Sequence, residues 1–193
     1  MPVPQKKQSS YDASAAIAAR RAAYKRRTLF FALAGIILVI DYLTKAWVVV
    51  TIPVGETHAS WGNIRITHVL NSGAAFGLGE KFTVFITIFS MVIISAVASA
   101  LWRTTSNAWA TGLALILGGA FGNLYDRLFR PPAAFSGHVI DFISVGKFPV
   151  FNVADSAVTI GVVIVLICLL VGKKLTVSPA AEKTDASSQV SHL

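Results

Sequence analysis

Three acids stand where apolar sequence gives way to polar sequence: Asp126, Asp141 and Asp155. Two carboxylates held close together in a low dielectric do not both ionise. One keeps its proton, and the pair then offers a base and an acid at once. The ionised member takes a proton from water, which attacks an amide carbonyl. The protonated member polarises that carbonyl and assists departure of the amine. The titration belongs to the pair and not to either residue. Rival chemistries lack partners: Ser156 and Thr159 have no base beside them in the sequence. His68 and His138 fall outside any HExxH-like spacing, so neither a metal nor another cofactor is expected. At this level any two of the three acids could form the pair.

Such acids need elements to hold them, and composition says which kind. The chain is 54% hydrophobic and only 13% charged over 193 residues, with a mean hydropathy of +0.66. A soluble domain carries about a quarter charged residues. The balance predicts an α-helical integral membrane protein. Apolar runs at roughly 29–50, 82–102, 108–125 and 153–171 each approach the ~20 residues that cross a bilayer. The first is too long for a signal-peptide core and is read as retained. The single cysteine, Cys168, lies inside an apolar run and forms no intramolecular disulfide. No internal repeat is visible.

Charge sets the orientation. Residues 1–28 carry Lys6, Lys7, Arg20, Arg21, Lys25, Arg26 and Arg27 against Asp12 alone. Arg103 lies between the second and third spans, and Lys173 and Lys174 follow the fourth. Four spans place these three regions on one side, which the positive-inside rule makes cytoplasmic. The basic charge is therefore assigned to membrane lipid and topology, with no nucleic-acid partner expected. Loops at about 51–81 and 126–152 then face outward, and NIRITHVLN in the first alternates as a strand does. The expected divisions are a basic extension at 1–28, a membrane domain at 29–172 and a polar, disordered tail at 173–193.

Depth brings the polar residues together. Asp41 lies about 20 Å along the first span and Asn123 about 22 Å along the third, at 1.5 Å per residue. Lys45 shares the helix face of Asp41, Asp126 and Arg127 lie one turn beyond Asn123, and Asp155 opens the fourth span. Each has a plain structural reading: an intrahelical Asp41–Lys45 pair, a helix-end cap by Asn123 and Arg127, a first-turn acid at 155. Convergence from three spans on one level speaks for a site. Gly118, Gly119 and Gly122 are read as helix-packing positions, and Trp47, Trp102, Trp109 and Phe148 as anchors at the membrane interface.

Five blocks then acquire a joint meaning: DYLTK (41–45), NSGAAFG (71–77), GGAFGNLYDR (118–127), VIDF (139–142) and FNVADSAVTIG (151–161). In this order and spacing they resemble bacterial lipoprotein signal peptidase, the signal peptidase II family of aspartic intramembrane peptidases. The resemblance covers about 29–172. It implies four transmembrane helices with a small extracytoplasmic β-cradle and a short periplasmic helix. It implies that Asp141 and Asp155 are the catalytic pair, an assignment the residues alone leave open, and that Asp126 is supporting. Asp41, Lys45, Asn71, Gly73, Asn123, Arg127 and Asn152 fall on the family's substrate-binding and supporting positions. Asn123 and Asn152 are expected to bond the pair or the substrate backbone, Asn71 to bind substrate backbone, and Arg127 to shape the site by charge. The implied substrates are diacylglyceryl-modified prolipoproteins, cut just before the lipidated cysteine, and the implied inhibitors are of the globomycin type. A monomer in the bacterial inner membrane, with both termini cytoplasmic and the site toward the outer leaflet, is expected. The stretch between Asp141 and Asp155 is short for the family, and Ser72 follows Asn71.

Two other classes compete. A proton- or ion-coupled transporter would use intramembrane acids as relays, but here they share one level. A non-catalytic lipid-binding factor would use Arg127, Arg130 and Lys147 for headgroups.

Overall fold

The structure, a computed structural model, describes residues 5–73 and 79–176. Residues 74–77 of the NSGAAFG block and the tail from 177 lie outside the described residues. The order of elements is α1 (Gln5–Thr51), β1 (Thr57–Trp61), β2 (Ile64–Asn71), α2 (Gly79–Arg103), α3 (Asn107–Phe129), β3 (Val139–Val145) and α4 (Val153–Leu170).

Four helices are long and apolar enough to cross a membrane, with spans at Ser14–Thr51, Phe82–Arg103, Asn107–Phe129 and Val153–Leu170. Only 17% of the most apolar window of α2 and 22% of that of α4 is buried, against 56% for α3. The outer helices thus present apolar side chains to hydrocarbon, while α3 forms the centre and packs on α1, α2 and α4. This is a multi-pass membrane protein.

The helix predicted from Leu29 has no break there. α1 is continuous from Gln5, and its 47 residues extend about 70 Å at 1.5 Å per residue. Ala-rich sequence with high helix propensity carries the helix through the basic segment. At the far end of the chain, α4 stops in a Schellman turn. Gly172 takes φ 65°, its N–H bonds Leu169 O at 3.1 Å and Lys173 N–H bonds Cys168 O at 2.8 Å.

Small residues let the helices approach. A Cβ on Gly118 would lie 2.5 Å from Ala34 O of α1, and one on Gly122 would lie 2.5 Å from Asp41 Oδ2. Main chain and a buried carboxylate occupy the places where side chains would stand, which bears out the packing role. The apolar core of Ala34, Ile94, Leu101, Trp109, Leu113, Leu117 and Leu124 lies around α3. Trp109 corrects an expectation: it is 9% exposed, and its Nε1–H donates to Lys173 O at 2.8 Å. Trp47, Trp102 and Phe148 are exposed, as anchors would be.

The three strands form one antiparallel sheet in the order β1-β2-β3. The predicted strand in NIRITHVLN is β2. The VIDF block was placed only in an outer loop, yet it forms β3. Ile140 and Phe142 pack with Val48 and Ile52 of α1, so period-2 alternation turns Asp141 to the opposite face. Among the described residues, no short helix lies between α3 and α4: the chain there is β3 flanked by turns, with an isolated bridge from Phe151 to Ile143.

Candidate active site

The site is assembled around a buried lysine. Lys45, fully enclosed, places Nζ 2.7 Å from Asp41 Oδ2 and 2.8 Å from Asp126 Oδ2, and donates to Asn123 Oδ1 at 2.9 Å. An ammonium has three N–H donors, and three oxygens lie within 3 Å of this one. The Asp41–Lys45 pair is therefore more than an intrahelical contact. Asp41 Oδ1 also accepts from Ala154 N of α4 at 2.9 Å, so a carboxylate on α1 satisfies a free N–H at the start of α4.

Asp126 separates from the other acids by its neighbours. Its Oδ1 pairs with Arg130 one turn on, its Oδ2 with Lys45, and it accepts from Ile140 N at 3.4 Å. Two cations neutralise it, and its geometry ties α3 to the start of β3.

Asp141 and Asp155 are held by amides instead. Asn152 is the N-cap of α4 and forms a capping box with Asp155: Oδ1 accepts from Asp155 N at 2.9 Å, while Asp155 Oδ2 accepts from Asn152 N at 3.1 Å. Because that oxygen faces the helix, Nδ2 faces outward and donates to Asp141 Oδ1 at 2.7 Å. One residue thus caps the helix that carries one acid and bonds the other acid on β3. Asn123 repeats the device. Its Oδ1 accepts from Lys45 and, at 3.2 Å, from Asn152 Nδ2, which turns its own Nδ2 onto Asp155 Oδ1 at 2.8 Å. The Lys45 ammonium, always a donor, sets the sense of that amide.

The sheet supplies the remaining partner. Val69 lies opposite Asp141 in the β2–β3 register, and Asn71, two residues on, reaches Asp141 diagonally. Asn71 Nδ2 donates to Asp141 Oδ2 at 2.8 Å, and its Oδ1 accepts from Gly73 N at 2.7 Å. Its polar atoms therefore serve Asp141 and the local turn. Gly73 adopts φ 72°, and a Cβ there would lie 2.6 Å from Arg127 Nη2. Arg127 Nη1 donates to the carbonyls of Asn71, Ser72 and Gly137 at 3.2, 2.8 and 3.1 Å. Arg127 thus acts on this loop through main-chain hydrogen bonds as well as charge.

Asp141 is 2% exposed, and burial pushes its carboxyl up to about 6 from 3.8. The nearby charge of Asp155 adds to this, while the Asn71 and Asn152 amides and the Lys45 charge oppose it. Asp141 and Asp155 line a common cavity of about 190 Å³ with Asn71, Asn123 and Arg127. Ile86 and Ser90 of α2, together with Leu124 and Val139, complete its wall. Those four were not singled out from the sequence. Ser90 carries no outward signal, because its hydroxyl donates to Ile86 O at 2.8 Å as serines in membrane helices commonly do. A second, mostly apolar cleft of about 470 Å³ reaches Asp155 from the other side, between Phe148–Phe151 and Ser156, Thr159 and Ile160. Among the described residues no cluster of His, Cys, Asp and Glu has metal-binding geometry.

Comparison with known proteins shows the family. Residues 33–171 match the family described as Signal peptidase (SPase) II. The lipoprotein signal peptidase of Rhodococcus jostii is 41% identical over 150 residues, which cover 77% of this chain and 76% of that one. The lipoprotein signal peptidase of Streptomyces coelicolor is 40% identical over 144 residues, covering 74% and 71%. Among solved structures, a bacterial membrane enzyme determined in meso at 1.9 Å superposes with a TM-score of 0.66 at 29% identity, over 74% of this chain and 93% of the other. The match runs through all four spans, so the chain belongs to the signal peptidase II family and is a lipoprotein signal peptidase by that membership.

Proposed function

We propose that Asp141 and Asp155 are the catalytic pair of this peptidase. The observation that carries this reading is their shared wall in one cavity, with Asn152 hydrogen-bonded to both. In the reaction, the ionised aspartate removes a proton from water and the resulting hydroxide adds to the scissile carbonyl carbon. The protonated aspartate gives its proton to the carbonyl oxygen. Collapse of the tetrahedral intermediate breaks the C–N bond: a hydroxyl of the intermediate returns its proton to the aspartate that gave one, and the departing amine takes the proton first drawn from water. Asn71, Asn123 and Asn152 hold the two carboxylates in place, and Asp126, Asp41 and Lys45 hold the strand and helix that carry them.

The substrate in this reading is a diacylglyceryl prolipoprotein cut before its lipidated cysteine, with globomycin-type compounds as inhibitors and a monomer as the working unit. The apolar cleft that reaches Asp155 supports it, because a lipid chain can lie there beside a bond held at the carboxylates. The peptidase domain is assigned to 29–172, with 1–28 and the tail from 173 cytoplasmic. The carboxylate end faces the outer leaflet of the bacterial inner membrane, as the distribution of basic residues supports.

The test uses purified enzyme and a lipidated prolipoprotein. Asp141→Asn and Asp155→Asn are expected to lower kcat by about 10³-fold or more while retaining the melting temperature to within a few degrees. Normal processing by either variant would overturn the assignment. Asp126→Asn is expected to act first on stability; full stability with no turnover would return that acid to the catalytic pair.

A further inference from the structure

The cations of this protein fall at two ends. Lys25, Arg26 and Arg27 precede the apolar run of α1, Arg103 closes α2, and Lys173 and Lys174 follow α4. Because the helices alternate in direction, all six come to the end of the bundle opposite Asp141 and Asp155. Arg26 is fifteen residues ahead of Asp41, about 22 Å along α1. Among the described residues Asp41, Glu56, Asp126, Asp141 and Asp155 belong to the far end, and in the sequence the nearest other acids are Asp12, thirteen residues before Lys25, and Glu182, eight residues after Lys174.

Two of these cations are fixed in place. Arg26 Nη2 donates to Thr104 O in the link between α2 and α3. Thr104 Oγ1 and Thr105 N both donate to Leu175 O, at 2.7 and 3.0 Å, so α1, this link and the segment after α4 form one platform. The Arg27 guanidinium lies over Trp102, 4.7 Å from the ring centroid. Arg26 Nη1 and Arg27 Nε are buried and have no hydrogen-bond partner among the described residues, so the outer nitrogens of Arg27 and the Arg103 side chain are the groups that can meet a ligand. Beside Trp102 a cleft of about 350 Å³ opens between α1 and α2, lined by Phe31, Ala98, Ser99, Trp102 and Arg103. Phe31 and Trp102 pack with ring centroids 6.2 Å apart.

Positive charge with no carboxylate partner among the described residues and an adjoining apolar cleft, both at the end of membrane spans, match an amphiphile with an anionic head. A planar, pre-positioned guanidinium suits a phosphate better than a mobile ammonium does. We propose that Arg27 and Arg103 bind the phosphate of an anionic phospholipid whose acyl chain lies in the cleft formed by Phe31, Ala98, Ser99 and Trp102. Arg26 holds the platform beneath them. This site is separate from the catalytic reading and stands whether or not Asp141 and Asp155 are the pair.

Native mass spectrometry of the full chain, with phosphatidylglycerol and phosphatidylcholine of identical acyl chains, reads the site directly. Wild type is expected to retain at least tenfold more phosphatidylglycerol. Arg103→Gln, and Arg27→Gln with Arg103→Gln, should reduce retention to the phosphatidylcholine level, and Arg20→Gln with Arg21→Gln should leave it unchanged. Ala98→Leu, which fills the cleft, should weaken retention of both lipids. Equal retention of the two lipids by wild type overturns the proposal. So does an equal loss in the Arg20 and Arg21 variant, which would mean diffuse attraction. So does full competition by inorganic phosphate at millimolar concentration, which would mean a soluble-anion site. Arg103→Gln leaves the Arg27–Trp102 stack intact and keeps the test valid if the double variant folds poorly.

Discussion

At the scale of the residue, the difference between Asp126 and the other two acids is a difference of partners. Lys45 and Arg130 place positive charge on Asp126, whereas among the described residues Asp141 accepts from the side-chain amides of Asn71 and Asn152. An amide favours the ionised form less than a full charge does, so burial prevails and Asp141 titrates near 6. The sign for activity follows. Below that value Asp141 keeps its proton; above it Asp141 loses the proton that it would donate. The kcat/KM profile, which reports the free enzyme, should therefore fall on its alkaline side with an apparent pKa near 6. Asn71→Ala removes a donor that favours ionised Asp141, so this limb should move to higher pH. A limb unmoved by that change, measured on the same lipidated substrate, would show that Asp141 does not govern it.

At the scale of the element, helix α4 ties its own start to the chemistry. The capping box that any helix uses to satisfy its first N–H groups is here built from Asn152 and Asp155, so the cap and the site share atoms. Packing of α3 on α1 sets how far the Asp126 and Asn123 side chains lie from Lys45, and Gly118 permits that approach. Gly118→Val should lower stability by about 1–3 kcal/mol or more, because a Cβ 2.5 Å from Ala34 O forces the helices apart. Gly35→Ala, with nothing within 4 Å of the new Cβ, should be neutral or stabilising by about 0.5–1 kcal/mol from helix propensity. Thermal unfolding of both variants in one detergent checks the pair. Equal effects would remove close approach as the reason for glycine at 118.

At the scale of the whole molecule, charge is sorted along the bundle axis. The proposed orientation predicts that Lys147, after β3, and Lys173, after α4, face opposite sides of the membrane. Cys168 is buried, so variants with one added cysteine at either of these exposed positions label cleanly in intact cells. An impermeant maleimide should modify Lys147→Cys and spare Lys173→Cys; labelling of both, or the reverse, refutes the orientation. Much of this molecule was legible as sequence, because crossing hydrocarbon requires long apolar runs and makes each intramembrane charge conspicuous. The four spans, strand β2, the packing glycines and the shared depth of Asp41, Asn123 and Asp155 all follow from composition and spacing. The choice among three acids did not, since residue type says nothing of which neighbour neutralises which carboxylate. Nor did β3, whose short run VIDFISV is held by pairing with β2, distant in sequence. Trp109 read as an interface anchor because a tryptophan near a span end usually is one; here Lys173 O accepts its N–H and α3 lies at the bundle centre. Local periodicity and the cost of burying charge are properties of the chain. Which amide turns toward which acid depends on contacts between residues as far apart as Lys45 and Asn123, and only the folded arrangement decides it.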